Sequence, residues 1–164
     1  IAINTALIRS EFIMSNVVIQ PAQTADLAAL AALEQQVFED VVYPAFFFRQ
    51  ALDLWPDFLL LAWQDQSLLG YILAAPGQQG PERIGILSLA VSPKAQGMGI
   101  GKQLLQTLLE GMPSECRQLW LTVAPDNQPA LTLYQKFGFF CEKTETDYYG
   151  EGEDRLLLVK QCHR

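Results

Sequence analysis

Residues 94–105 read KAQGMGIGKQLL and place glycine at every second position from Gly97 to Gly101. The apolar run IGILSLAV (84–91) comes just before and predicts a strand, and leucines at helical spacing follow from about Ile100 to Met112. A strand, a glycine turn and a helix N-terminus expose backbone N–H groups that have no acceptor within the helix, and the helix dipole adds positive potential there. The stretch therefore predicts a loop that binds phosphate groups.

Two other kinds of phosphate loop do not fit this stretch. A P-loop ending at Gly101 and Lys102 requires glycine at Gln96 and a hydroxyl residue at Gln103. A dinucleotide fingerprint beginning at Gly97 requires glycine at Lys102, and the N-terminal half lacks the early βαβ unit that this fingerprint needs. A glycine turn that only connects a strand to a helix remains the structural alternative.

The composition indicates one globular domain. The chain has 164 residues, of which 50% are apolar and 18% are charged, enough for a single packed core. Its net charge of -7 argues against a nucleic-acid binder and against adhesion to an anionic membrane. No apolar run approaches the about 18 residues that a membrane-spanning helix needs. We expect residues 14–164 to form the domain and residues 1–13 to be an upstream or non-native extension.

The cysteines give a further indication of the compartment. Cys116, Cys141 and Cys162 are odd in number and far apart in the sequence, which predicts neither a disulfide framework nor a metal site. We therefore expect a reducing compartment, the cytoplasm.

Strand and helix patterns along the chain predict a mixed α/β (α+β) fold. The polar segment GQQGPER (77–83) is expected to be a turn. The predicted strands are 16–22, 58–64, 68–76, 84–91, 117–124 and 155–161, and the predicted helices are 24–38, 44–55, 100–112 and 127–138.

Two segments together resemble the signatures of the Gcn5-related N-acetyltransferase (GNAT) superfamily. QGMGIG (96–101), preceded by LAVSP, resembles its acetyl-coenzyme A loop. VAPDNQPALTLYQKFGF (123–139) resembles its second signature, with Asn127 opening a helix, Tyr134 seven residues later and a closing FGF. The resemblance covers about residues 16–160. It implies the GNAT fold, a central mixed and mostly antiparallel sheet of six to seven strands with about four helices, and acetyl-coenzyme A as cosubstrate without a metal.

The resemblance also implies roles for residues in the two signatures. Backbone groups near Leu89, Ala90 and Val91 would hold the pantetheine arm and polarise the thioester carbonyl. Asn127 would contact the pantetheine, and Tyr134 would protonate the departing thiolate. The residues that would surround the pyrophosphate are Gln96, Gly97, Met98, Gly99, Ile100, Gly101 and Lys102.

Each of the two helix residues also has a structural interpretation. Tyr134 shares a helical face with Ala130, Leu131 and Phe137, so it could equally be a core residue. Asn127 suits the N-cap of the helix that Pro129 opens, and both of its roles are compatible.

No strong general base stands where the resemblance would place one. Thr122 occupies the position of a glutamate found in bacterial enzymes that acetylate protein N-termini. Gly85 and Leu87 occupy the positions of two histidines found in arylalkylamine acetyltransferases. The single histidine, His163, is next to the end of the sequence. A water chain, Glu34 or Glu39 remain open as the base.

The closing segment TETDYYGEGEDRLLLVK (144–160) resembles that of the ribosomal-protein alanine acetyltransferase type. The resemblance implies that Tyr148 and Tyr149 line a peptide groove, beside further candidate substrate residues Glu34, Phe38 and Tyr43. A solvated hairpin, and core packing of the aromatic residues, are the structural alternatives.

The sequence therefore predicts an acetyl-coenzyme A-dependent N-acetyltransferase that acts by direct transfer in a ternary complex. The expected acceptor is a primary amine, above all a protein or peptide N-terminus. A small-molecule amine acetyltransferase and a coenzyme A-binding module without turnover are the alternatives. We expect no nucleic-acid or membrane partner, and a monomer or homodimer.

Overall fold

The computed structural model describes residues 16–38, 41–78 and 80–162. The predicted extension at 1–13, Glu39 and His163 lie outside these residues. The strands are β1 (Val17–Pro21), β2 (Leu59–Gln64), β3 (Ser67–Gly77), β4 (Gly80–Val91), β5 (Gln118–Val123), β6 (Phe140–Glu145) and β7 (Arg155–Gln161). The helices are α1 (Leu27–Val37), α2 (Ala45–Leu54), α3 (Ile100–Glu110) and α4 (Gln128–Lys136).

The strands form one seven-stranded sheet with the order β1-β2-β3-β4-β5-β7-β6. Pairs β1–β2, β2–β3, β5–β7 and β6–β7 are antiparallel, whereas β4 and β5 are parallel. The mixed α/β class and the predicted number of strands and helices are therefore confirmed. No helix among the described residues is long and apolar enough to cross a membrane.

Two parts of the sheet differ from the sequence prediction. β6 was not predicted as a strand of its own, because five of its six residues are exposed and it lacks an apolar alternation. Strands β3 and β4 extend into the polar segment that was expected to be a turn. Arg83 anchors the extended part of β4 to β5, because its Nε donates to Gln118 Oε1 at 2.9 Å and its guanidinium lies 5.3 Å from the centre of the Trp120 ring.

The described residues group into two compact units, and the first comprises 16–73 and 88–110. In this unit, the two faces of β3 meet different helices, because successive strand residues point to opposite sides. A Cβ at Gly70 would lie 3.2 Å from side-chain atoms of Ile100 and Leu104 of α3. The Tyr71 side chain points the other way, with its ring centre 5.4 Å from that of Phe48 in α2. Burial on both faces accounts for the continuous apolar run of β3.

The second unit comprises residues 74–87 and 111–162. Its central strand β7 has three consecutive buried residues, Leu157–Val159, as expected for a strand covered on both faces. Helix α4 ends as the sequence predicts, because Gly138 follows the C-cap with a φ of 83°.

Candidate active site

The glycine loop of the first unit has two glycines in the left-handed region of backbone conformation. Gly97 and Gly99 have φ values of 80° and 76°, and a Cβ at either position would meet no atom within 4 Å. The first hydrogen bond into α3 runs from the Gln103 N–H to the Gly99 carbonyl at 3.0 Å, so the preceding amides of the first turn have no acceptor in the helix. The Met98 N–H in the loop already donates to the Ala95 carbonyl at 3.3 Å, so the donors that the loop presents are the first-turn amides of α3.

The end of β4 in the same unit is held tightly against β3. The Ser92 N–H donates to the Leu69 carbonyl at 2.7 Å, and Ser92 is buried. A Cβ at Gly70 would lie 2.7 Å from the Ala90 carbonyl oxygen, so only glycine permits this approach. Leu89, Ala90 and Val91, the predicted pantetheine-binding residues, thus belong to a strand end with a fixed backbone.

The carboxylate of Glu34 lies inside the core of the first unit, where its side chain is only 2% exposed. Its Oε2 accepts a hydrogen bond from the Tyr71 hydroxyl at 2.6 Å, and its Oε1 accepts one from the Tyr43 backbone N–H at 2.9 Å. The Tyr71 oxygen also lies 2.8 Å from Ser88 Oγ on β4. Glu34 therefore connects α1, the segment before α2, β3 and β4 through a buried polar network.

This network was not predicted from the sequence. Its one visible signal is that Glu34 stands on the apolar face of α1, between the core residues Leu30 and Leu33 and the partly buried Val37. A carboxylate in such a position needs buried hydrogen-bond donors, but spacing along the chain does not identify Tyr71, 37 residues away.

The predicted aromatic substrate residues of the first unit pack mainly against the core. The Tyr43 ring stacks on Phe47 with 4.4 Å between centroids and meets the edge of Phe48 at 6.2 Å. Phe38, at the C-cap of α1, also packs against the buried cluster. Both Phe38 and Tyr43 are half-buried, so part of each side chain remains available to solvent.

Asn127 and Tyr134 belong to α4 in the second unit. Asn127 Oδ1 accepts the Ala130 N–H at 3.2 Å, which confirms its N-cap role. Tyr134 is 6% exposed and its ring meets Phe139 edge-on at 5.5 Å. Burial raises the pKa of Tyr134 well above its usual value near 10, so its hydroxyl keeps its proton at neutral pH. The raised pKa also makes the phenol a weak acid, so it can give its proton only to a strongly basic group such as a thiolate.

Tyr148 and Tyr149 lie in the β6–β7 hairpin of the second unit, with their rings edge-to-face at 4.7 Å. Tyr149 is 66% exposed, its hydroxyl lies 3.4 Å from Thr122 Oγ1, and Arg155 lies 4.9 Å from its ring centre. Two acidic residues of the hairpin have local partners, because Glu153 pairs with Arg155 at 3.0 Å and Asp154 accepts the Asp147 N–H at 3.0 Å. Tyr149 is therefore an aromatic side chain of this hairpin that is accessible from solvent.

The position of Gly85 explains why no histidine stands there. A Cβ at Gly85 would lie 2.9 to 3.0 Å from three atoms of the Trp120 indole. Gly85 and Trp120 also form the last of the three parallel pairs between β4 and β5, after Arg83–Gln118 and Ile84–Leu119. The indole thus occupies the space that a side chain at 85 would need. Leu87, the other position in question, is 38% exposed.

Comparison with known proteins agrees with these features. Residues 26–139 match the Acetyltransferase (GNAT) family model. An N-acetyltransferase of Methanocaldococcus jannaschii is 30% identical over 146 residues, which cover 88% of this chain and 91% of that protein. An N-alpha-acetyltransferase of Sulfurisphaera tokodaii is 31% identical over 128 residues, which cover 71% of this chain and 77% of that protein.

A solved structure has the same fold. Arabidopsis thaliana Naa50 in complex with the bisubstrate analogue CoA-Ac-MVNAL superposes with a TM-score of 0.76 at 27% identity, covering 88% of this chain and 98% of that one. The family match includes both the glycine loop and Tyr134. The chain therefore belongs to the GNAT family of acetyltransferases and is an N-acetyltransferase.

Proposed function

We propose that this enzyme transfers the acetyl group of acetyl-coenzyme A directly to the N-terminal amine of a protein or peptide. The relatives named N-alpha-acetyltransferase and the peptide-containing analogue bound to Naa50 support this acceptor. The observation that carries the proposal is the glycine loop, where Gly97 and Gly99 leave open space in front of the N-terminus of α3. The pyrophosphate of the cosubstrate would lie against residues 96–102 and accept hydrogen bonds from the first-turn amides of α3.

The reaction would proceed by direct transfer, without an acetyl-enzyme intermediate. The neutral amine nitrogen attacks the thioester carbon, and backbone donors of Leu89–Val91 stabilise the negative charge on the carbonyl oxygen. The C–S bond then breaks, and the thiolate takes the proton of the Tyr134 hydroxyl. The tyrosinate regains a proton from water as the attacking nitrogen releases its own proton to water. Asn127 would contact the pantetheine while its Oδ1 continues to cap α4.

The lack of a base at the expected positions favours an α-amine over other amines. Gly85, Leu87 and Thr122 cannot remove a proton from an ammonium group. An α-amine has a pKa of about 8 and is partly neutral at physiological pH, whereas a lysine amine with a pKa of about 10.4 is almost fully protonated. An enzyme that receives its acceptor already neutral needs only to pass the remaining proton to water after attack.

Glu34 would act on the acceptor site indirectly. Its buried carboxylate holds the Tyr43 amide and the Tyr71 hydroxyl, so we assign it a positioning role. Phe38, Tyr43, Tyr148 and Tyr149 would provide the apolar contacts to the peptide. We also propose a cytoplasmic location, which the free thiols of Cys116, Cys141 and Cys162 support.

Thiol release from acetyl-coenzyme A tests the proposal. The assay would compare short peptides that have a free N-terminus with the same peptides after N-terminal formylation, and with arylalkylamines and polyamines. We expect release with the free peptides alone. Release only with small amines would favour the small-molecule enzyme, and binding of acetyl-coenzyme A without release would favour a binding module.

A further inference from the structure

Two cysteines that are distant in the sequence lie side by side in the second unit. The Sγ atoms of Cys116 and Cys162 are 3.4 Å apart, although 46 positions separate the residues in the chain. Both are free thiols. Their linear spacing in the sequence gives no sign of this contact.

The backbone on both sides keeps the two thiols in place. Cys162 directly follows β7, and its N–H donates to the Arg117 carbonyl at 2.8 Å. This bond continues the antiparallel ladder in which Gln118 pairs with Gln161. The Cys116 N–H donates to the Pro113 carbonyl at 2.9 Å. Because both main chains are anchored, the thiols stay adjacent, and an S–S bond requires their Sγ atoms to approach from 3.4 Å to about 2.05 Å.

The two thiols differ in their access to solvent. Cys116 is 6% exposed, whereas Cys162 is half-buried. Burial, and then the hydrogen bond with Cys162, raises the pKa of the Cys116 thiol above its usual value. Cys162 is therefore the thiol that meets a reagent first, and Cys116 is the buried partner next to it.

We propose that Cys116 and Cys162 form a modification site that reacts with low-molecular-weight disulfides, such as glutathione disulfide, and closes to a reversible intramolecular disulfide. The Cys162 thiolate attacks one sulfur of glutathione disulfide, forms a mixed disulfide and releases one glutathione thiolate. Cys116 then loses its proton and attacks Cys162 Sγ, which releases the second glutathione. The two protein thiols are oxidised, glutathione disulfide is reduced, and the two thiol protons end on two glutathione molecules.

This site is independent of the transfer reaction, so it can be tested without the acetylation assay. The folded enzyme would be equilibrated in buffers of varied glutathione to glutathione disulfide ratio, quenched with acid and treated with N-ethylmaleimide. Intact mass and peptide mapping would follow. We expect a species that has lost two hydrogens and alkylates at Cys141 alone, with a Cys116–Cys162 cross-link. Because the closed loop is long, the melting temperature of this species should rise by about 5 °C or more, and dithiothreitol should reverse the rise.

Matched variants separate this chemistry from general thiol oxidation. Cys141→Ser removes the exposed third cysteine and should leave the cross-link unchanged. Cys116→Ser and Cys162→Ser should each abolish it, and Cys116→Ser should instead carry one glutathione at Cys162. Two alkylatable thiols at 116 and 162 in fully oxidising buffer, or two separate glutathione adducts there in the wild type, would refute the proposal. This result needs no variant, so a folding defect in Cys116→Ser leaves the test intact.

Discussion

The Tyr71 hydroxyl lies 2.6 Å from Glu34 Oε2, and this hydrogen bond joins β3 to α1 inside the core. Because the carboxylate is only 2% exposed, water does not replace a lost donor there. The same hydroxyl lies 2.8 Å from Ser88 on β4, one residue before the predicted pantetheine-binding segment. The Tyr71 hydroxyl therefore connects Glu34, which also holds the Tyr43 backbone, to β4, the strand that would hold the acetyl group.

Tyr71→Phe should destabilise the fold, because it removes a buried donor to Glu34. We expect the free energy of unfolding in urea to fall by about 1–3 kcal/mol. Tyr148→Phe is the control, since its hydroxyl makes no hydrogen bond to a described residue, and it should change stability by less than about 0.5 kcal/mol. Equal stability of Tyr71→Phe and the wild type would mean that the buried bond contributes nothing net.

Gly99→Ala should weaken acetyl-coenzyme A binding, because it forces an alanine to a φ of 76°. The new Cβ meets no atom within 4 Å, so strain is the only penalty in the free protein. This strain of about 1–2 kcal/mol should move the loop out of its binding conformation. If the whole cost appears in binding, calorimetric titration should give a Kd about 5- to 30-fold higher.

Gly80→Ala is the matched control for this loop. Gly80 has a φ of 68° and equally open surroundings, but it opens β4. This variant should lower the free energy of unfolding about as much as Gly99→Ala does, and it should leave the Kd of acetyl-coenzyme A unchanged. If the two variants bound acetyl-coenzyme A equally well, the glycine loop would have no special role in binding.

Tyr134→Phe should slow turnover while leaving the fold intact. Removing a general acid lowers kcat by about 10²- to 10⁴-fold, and the phenyl ring keeps its contact with Phe139. Urea unfolding should therefore be nearly unchanged at neutral pH, and the Kd of acetyl-coenzyme A should stay within about 3-fold of the wild type. An unchanged kcat and pH profile would show that Tyr134 is only a core residue, the alternative that its helical face already suggested.

Stability should fall at alkaline pH because of two buried tyrosines. Burial raises the pKa of both Tyr71 and Tyr134, and the bond to Glu34 adds to the rise at Tyr71. The folded state therefore holds these protons more tightly than the unfolded chain, whose tyrosines have a pKa of about 10. Their stabilising contribution is complete below about pH 10 and is lost as the pH rises further. Urea unfolding across this range should show the decrease, and Tyr134→Phe should reduce its slope. A flat profile above about pH 10 in the wild type would contradict the assignment.

Gly85→Ala should disturb the parallel pair between β4 and β5. Its Cβ would lie 2.9 Å from the Trp120 ring, so the indole has to move, at a cost of about 1–3 kcal/mol in the free energy of unfolding. In a protein that already carries Trp120→Leu, Gly85→Ala should lower the free energy of unfolding by less than it does in the wild type. Additive effects of the two substitutions would argue against the contact.

The features that depend on local patterns could be predicted from the sequence. The leucine spacing predicted α3, with Leu104, Leu105 and Leu108 buried as expected, and the apolar run predicted β7 from Arg155 to Gln161. The glycine pattern and the second signature led to the GNAT family, which the family match confirms.

The features that depend on long-range contacts could not be predicted in this way. β6 is an exposed edge strand whose side chains carry no apolar alternation. The partners of Glu34 and the pairing of Cys116 with Cys162 join residues 37 and 46 positions apart. Such contacts are set by sheet register and helix packing, which local periodicity does not specify.

One measurement addresses the proposed acceptor most directly. A peptide with a free N-terminus and one internal lysine would be incubated with the enzyme and acetyl-coenzyme A near pH 7, and tandem mass spectrometry would locate the acetyl group. We expect acetylation of the α-amine alone, strongly slowed in Tyr134→Phe and reduced in Gly99→Ala. Acetylation of the lysine side chain, or of neither amine while small amines are acetylated, would contradict it.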